Sequence, residues 1–148
     1  RMSYVEDGEL DAIILAYAGL VRGGYGDRAT EVFAPEVFMP APAQGALAVE
    51  CRSDDAVARE AIDKLVDAAA TAESTAERAV LARLEAGCTA PVAASAVFDR
   101  AGVTLRAGVF ALDGSRQLVE EAQGADPAEL GRKVAEVLLE RGAADVME

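Results

Sequence analysis

Histidine and tryptophan are absent from this 148-residue sequence, cysteine occurs twice, and aromatic residues make up only 5% of it. Without histidine there is no Ser-His-Asp relay and no His-containing zinc set. Cys51 and Cys88 lack the close pairing of a zinc ligand set and are too few for a disulfide framework. Positive charge is also scarce, with 14 Lys and Arg against 26 Asp and Glu and a formal net charge of −12. Non-specific nucleic-acid binding needs clustered cations to neutralise phosphates, so that class is excluded. The longest apolar runs, such as 12–20, are far too short to span a bilayer, and Arg1-Met2-Ser3 lacks the apolar core of a signal peptide. The expectation is a globular chain in a cytoplasmic setting, with neither membrane nor nucleic acid as a partner.

What is present is organised around the segment 84–92, Leu-Glu-Ala-Gly-Cys-Thr-Ala-Pro-Val. Ser74-Thr75-Ala76-Glu77 has the form of a capping box. Ala76, Val80, Leu81 and Leu84 then repeat at helical spacing until Gly87 supplies a stop, and Pro91 keeps the helix from resuming. Cys88 is thereby expected in a turn between that helix and a strand starting near Val92. It is either a half-buried structural thiol or a covalent attachment point.

Along the rest of the chain, residues 2–10 read as a helix end and a turn at Asp7-Gly8. The runs 12–16 and 46–51 are apolar on both faces and read as buried strands, with Cys51 in the core. A short helix is expected from about Gly19, with Arg22 one turn into it, as a solvated arginine or a ligand-facing one. Phe33, Val37, Phe38 and Met39 are expected to fill core, and 40–43, Pro-Ala-Pro-Ala, is a stiff crossing. Asp54 or Asp55 caps a helix with Val57, Ala61 and Leu65 in one row and Ala58, Ile62 and Val66 in the next. From about Thr71 the sequence predicts a self-sufficient α+β domain. Strands 92–98, 103–111 and 117–123 are joined by turns at 99–102 and 113–116, and a helix capped by Asp126 with Pro127 at its first position runs to a stop at Gly142.

Three ordered blocks carry a resemblance that covers essentially the whole chain. They are Glu77-Arg78-Ala79 with 84–92, the run 11–22 (Asp-Ala-Ile-Ile-Leu-Ala-Tyr-Ala-Gly-Leu-Val-Arg), and the run 40–52 (Pro-Ala-Pro-Ala-Gln-Gly-Ala-Leu-Ala-Val-Glu-Cys-Arg). Together they resemble porphobilinogen deaminase, also called hydroxymethylbilane synthase. The resemblance implies an α/β fold: residues 1–40 end one periplasmic-receptor-like α/β domain, 41–45 form a hinge, and 46–67 return as a strand and helix to a second such domain. Residues 68–148 then form a small α+β domain with a three-stranded antiparallel sheet and helices on one face.

The same resemblance implies a transferase of haem and tetrapyrrole biosynthesis that joins four porphobilinogen molecules head to tail with loss of ammonia. A dipyrromethane cofactor, held by a thioether from Cys88, serves as the primer for the growing polypyrrole chain. Thr89, Gln44, Gly45 and Ala16 are implied as further cofactor contacts, and Arg1 and Arg22 as binders of substrate carboxylates, through the paired hydrogen bonds a guanidinium makes. Thr89 is equally well read as a plain turn residue, and Gln44-Gly45 as an ordinary strand-entry turn. Ala43 stands where many relatives have glycine. The helix before Cys88 turns its negative end towards the thiol, so lowering of the thiol pKa falls to basic groups elsewhere. Arg1 is not an initiator residue, and the chain reads as the C-terminal part of a longer protein. Its N-terminal half is implied to bring the catalytic aspartate and most cleft arginines, so no catalytic residue is assigned here and the fragment alone is expected to be inactive.

Two readings from other classes remain: an acidic protein-interaction module with a structural Cys88, and a two-lobed small-molecule-binding protein. Covalently bound pyrrole on Cys88 separates the first reading from both.

Overall fold

The computed structural model of the chain describes residues 1–87 and 89–147. They divide into two units, Arg1–Val37 and Phe38–Glu148.

The first unit holds two short helices, α1 (Ser3–Glu6) and α2 (Tyr17–Arg22), and a single 3-10 turn over Gly26–Arg28. Gly8 takes φ +74° in the turn after α1, as the Asp7-Gly8 pair suggests. Arg28 pairs with Glu6 and lies 5.9 Å from the centre of the Tyr25 ring. The expected strand at 12–16 is not formed. The segment lies without a ladder partner, and Ile14 is 64% exposed. An apolar run becomes a strand only when another strand accepts its backbone bonds, and none among the described residues does so. Phe33, Val37 and Phe38 are likewise exposed instead of filling core, and Met39 is half-buried.

In the second unit the expected strand at 46–51 fails for the same reason. Leu47 and Val49 are exposed, and Cys51, expected in the core, carries an exposed thiol. Helix α3 (Ala56–Asp63) is capped by Asp55, whose carboxylate accepts the Ala58 N–H at 2.9 Å. It ends before Leu65 and Val66, both exposed, and Val57, in the same expected row as Leu65, also faces solvent.

Helix α4 (Ala68–Arg83) is capped seven residues before the expected Ser74, by Asp67, which accepts the Ala70 N–H. Ser74 sits inside the helix and returns its hydroxyl to the Ala70 carbonyl at 2.6 Å, so a motif with the form of a cap is spent one turn back. The helix also stops earlier than Gly87. Ala86 donates to the Leu81 carbonyl and Glu85 to the Ala82 carbonyl, with Glu85 in the left-handed region at φ +54°.

Strands β1 (Val92–Asp99), β2 (Gly102–Phe110) and β3 (Gln117–Gly124) form an antiparallel sheet in sequence order, close to the expected meander. Alternate residues of the central strand, Val103, Leu105, Ala107 and Val109, are fully buried against α4 and α5 (Pro127–Glu140), and α6 (Ala143–Val146) closes one end. Asp126 accepts the Glu129 N–H, Pro127 opens α5, and Gly142 ends it at φ +90°, as the local pattern requires.

Helices α4 and α5 approach closely because Gly131 has no side chain. A Cβ there would strike the Ala76 carbonyl oxygen and lie 2.5 Å from the Ala79 Cβ. Gly131→Ala is therefore expected to lower unfolding stability by about 3 kcal/mol in urea titration, and no loss would mean that the helix pair slides apart freely.

Candidate functional site

The turn at 41–46 is built by the backbone on either side of Pro42. Gln44 donates to the Ala41 carbonyl and Ala46 to the Ala43 carbonyl, both at 3.2 Å. Ala43 lies at φ +59°, in the left-handed region where a Cβ is unfavourable, which gives a physical reason for glycine at this place. Gln44 and Gly45 follow at once, both exposed, and a Cβ built on Gly45 meets nothing within 4 Å.

This turn is laced to the outer edge of β1. The Ala94 N–H donates to the Pro40 carbonyl at 3.0 Å. The Glu77 carboxylate spans the remaining gap, one oxygen accepting the Ala43 N–H at 2.5 Å and the other the Ala96 N–H at 2.7 Å. One turn earlier on α4, Glu73 accepts the Phe98 N–H at 2.9 Å.

Partial burial pushes the Glu77 carboxyl above its ordinary value. The two N–H donors pull the other way, and the nearby Glu73 charge adds to the rise.

Sequence reading assigned Glu77 to a capping box and missed this role. The signal available was a pair of like charges four residues apart, Glu73 and Glu77, on an alanine-rich helix. On a solvated face such a pair repels without compensation.

The other expected residues fall in several places. In the first unit Arg1 is at the exposed start of the chain, Ala16 immediately precedes α2, and Arg22 is its exposed last residue. In the second unit Thr89 is exposed in a turn between α4 and β1. The Cys88 expectation lies outside the described residues. A shallow groove between α4 and α5, of about 550 Å³, is lined by Arg78, Arg83 and Arg132 and contains none of these residues. Two of its arginines are paired, Arg83 with Glu136 and Arg132 with Glu129. No group of side chains suited to a metal ion occurs among the described residues.

A carboxyl whose folded value lies above its unfolded one binds its proton more tightly in the folded chain. Its contribution to stability is complete below the ordinary glutamate range and is lost as pH rises through the raised value. The stability of the chain relative to its Glu77→Gln variant should accordingly fall as pH is raised from about 4 to about 7. Paired urea titrations across that range check this, and a difference that grows with pH would reverse the sign.

Comparison with known proteins adds independent findings. Residues 1–60 match the family model described as porphobilinogen deaminase, dipyromethane cofactor binding domain, and residues 71–140 match porphobilinogen deaminase, C-terminal domain. The porphobilinogen deaminase of Corynebacterium aurimucosum is 60% identical over 149 residues, covering 99% of this chain and 50% of the relative. That of Mycobacterium marinum is 46% identical over 160 residues, covering 99% and 50%, and that of Deinococcus radiodurans is 44% identical over 150 residues, covering 100% and 48%. The chain spans about half the length of the curated relatives it matches. Two models of one family lie in order along the sequence, and relatives of that name match it from end to end: the chain belongs to the porphobilinogen deaminase family.

Proposed function

We propose that the protein of which this chain is a part joins four porphobilinogen molecules head to tail, with release of ammonia, to give hydroxymethylbilane. The observation that carries this reading is the ordered match of the cofactor-binding and C-terminal models along a single chain. Residues 1–40 and 46–67 would complete two periplasmic-receptor-like α/β domains, with 41–45 as the hinge and 68–148 as the C-terminal domain. The exposed apolar side chains of Ile14, Leu47, Val49 and Val57 support this division, since each then has a surface to cover it.

The described residues suit a dipyrromethane carrying carboxylate groups. Gln44 and Thr89 offer an amide and a hydroxyl to solvent, and the open space at Gly45 lets backbone approach a ligand closely. Cys88 would hold the group by a thioether. The sulfur bonds to a pyrrole methylene carbon, the carbon–nitrogen bond to departing ammonia breaks, and the thiol proton leaves with the nitrogen. When bound, the dipyrromethane supplies the primer carbon that new pyrroles extend. Ala16 would line the cofactor, while Arg22 and Arg1 bind substrate carboxylates through paired guanidinium hydrogen bonds. None of these residues is proposed as the acid or base, so the isolated chain is expected to be inactive. The exposed thiol of Cys51 suits a reducing, cytoplasmic setting.

Cys88→Ser in the full-length protein should abolish cofactor attachment. Intact mass of the denatured protein, with peptide mapping, should find two linked pyrroles on Cys88 in the unaltered protein and none in the variant. A variant that still carries covalent pyrrole would refute the assignment.

A further inference from the structure

We propose that Glu77 is a positioning residue for the cofactor: its carboxylate holds the 41–46 turn against the edge of β1, and so fixes where Gln44 and Gly45 present themselves. The inference rests on the reading of Gln44 and Gly45 as cofactor contacts.

The geometry makes Glu77 more than a surface acceptor. Ala43 occupies a left-handed conformation that an alanine leaves readily unless its surroundings hold it. Within the turn, the bonds from Gln44 to Ala41 and from Ala46 to Ala43 are both long, at 3.2 Å, whereas the bond from Ala43 N–H to Glu77 is short. The other Glu77 oxygen is committed to Ala96, inside β1, which pairs with β2 along its whole length, so the turn inherits the position of the sheet. Pro40 fixes the entry to the turn on the same strand through Ala94. At its exit, a Cβ built on Gly45 meets nothing within 4 Å among the described residues, so the backbone there is open.

The arrangement also opposes simple stabilisation. Burial and the facing Glu73 charge both work against an ionised Glu77, so the gain from this side chain lies in placing the backbone.

Glu73 provides an internal control. It caps the next outward N–H of the same strand, that of Phe98, but does not reach the turn. A role confined to closing the sheet edge would be shared by the two glutamates, and a role in seating the turn belongs to Glu77 alone.

The test uses the full-length protein and its Glu77→Gln, Glu73→Gln and Ala43→Gly/Glu77→Gln variants, with two readouts. The first is amide hydrogen exchange of the segment 41–46 against that of the central strand 103–109. The second is the rate at which apo-protein acquires covalent dipyrromethane, followed by intact mass. Glutamine keeps the shape of the side chain but one of its two acceptor oxygens becomes an NH2, so exchange at Ala43 should rise by about tenfold with 103–109 unchanged. Cofactor acquisition should slow several-fold, with partial recovery when glycine relieves the strain at position 43. Glu73→Gln should alter neither readout.

Unchanged exchange at 41–46 in Glu77→Gln would overturn the proposal, as would raised exchange with normal cofactor acquisition, or equal slowing by Glu73→Gln. Should the unaltered protein acquire no dipyrromethane at all, the cofactor reading itself fails, while the exchange readout still reports separately whether Glu77 holds the turn.

Discussion

A strand at the margin of a sheet leaves every second N–H without a ladder partner, and a three-stranded sheet has two such margins. On β1 the outward N–H groups of Ala94, Ala96 and Phe98 are taken in turn by the Pro40 carbonyl, Glu77 and Glu73. On β3 the Arg141 guanidinium donates to the Val119 carbonyl and to Glu120. The β1 margin is thereby closed by two side chains of α4 and one carbonyl of the crossing segment, while on β3 a single residue at the end of α5 takes one backbone carbonyl. As a result α4, β1 and the 40–46 turn cannot be placed independently, since moving any one of them orphans a backbone donor. The core beneath needs only apolar contact: no polar or charged residue is buried among the described residues.

Elements whose instructions lie within a few residues were legible in the sequence. The meander, its turns, the Asp126 cap with Pro127, and the left-handed Gly142 all depend on neighbours in the chain, and each is found close to its expected place. Helix α4 was displaced at its start because Ser74 has two uses for its hydroxyl, capping or bonding back to a carbonyl, and local pattern does not decide between them. Glu77 was misread for a different reason. Its partners are 34 residues before it and 19 after it, a separation that periodicity does not encode.

The segments 12–16 and 46–51 mark a further limit. Their composition is that of buried parallel strands, yet neither has a partner among the described residues, and Ile14, Leu47 and Val49 stand in solvent. Apolar side chains in this number are not kept exposed for their own sake. The small domain, by contrast, closes its own core with Val103, Leu105, Val109, Val80, Val134 and Leu138. Stability is therefore concentrated in the C-terminal α+β part, while Ala16, Gln44 and Gly45 are carried on or beside segments whose apolar side chains stand uncovered among the described residues.

The net charge of −12 at first conflicts with the proposed substrate and cofactor, both rich in carboxylates. Its distribution removes much of the conflict. Glu73 and Glu77 are occupied with backbone donors, while Glu120, Glu129 and Glu136 are paired with Arg141, Arg132 and Arg83. Acidity in the C-terminal domain is thus largely a structural resource, spent on edges and helix faces. What stands out at 41–46 is that two costs coincide: a left-handed alanine and a partly buried carboxylate facing another. Either could be relieved by a single substitution, glycine at 43 or a neutral side chain at 77. A fold selected for stability alone has no reason to keep both at one turn, whereas a turn that must hold its backbone in one place against a ligand does.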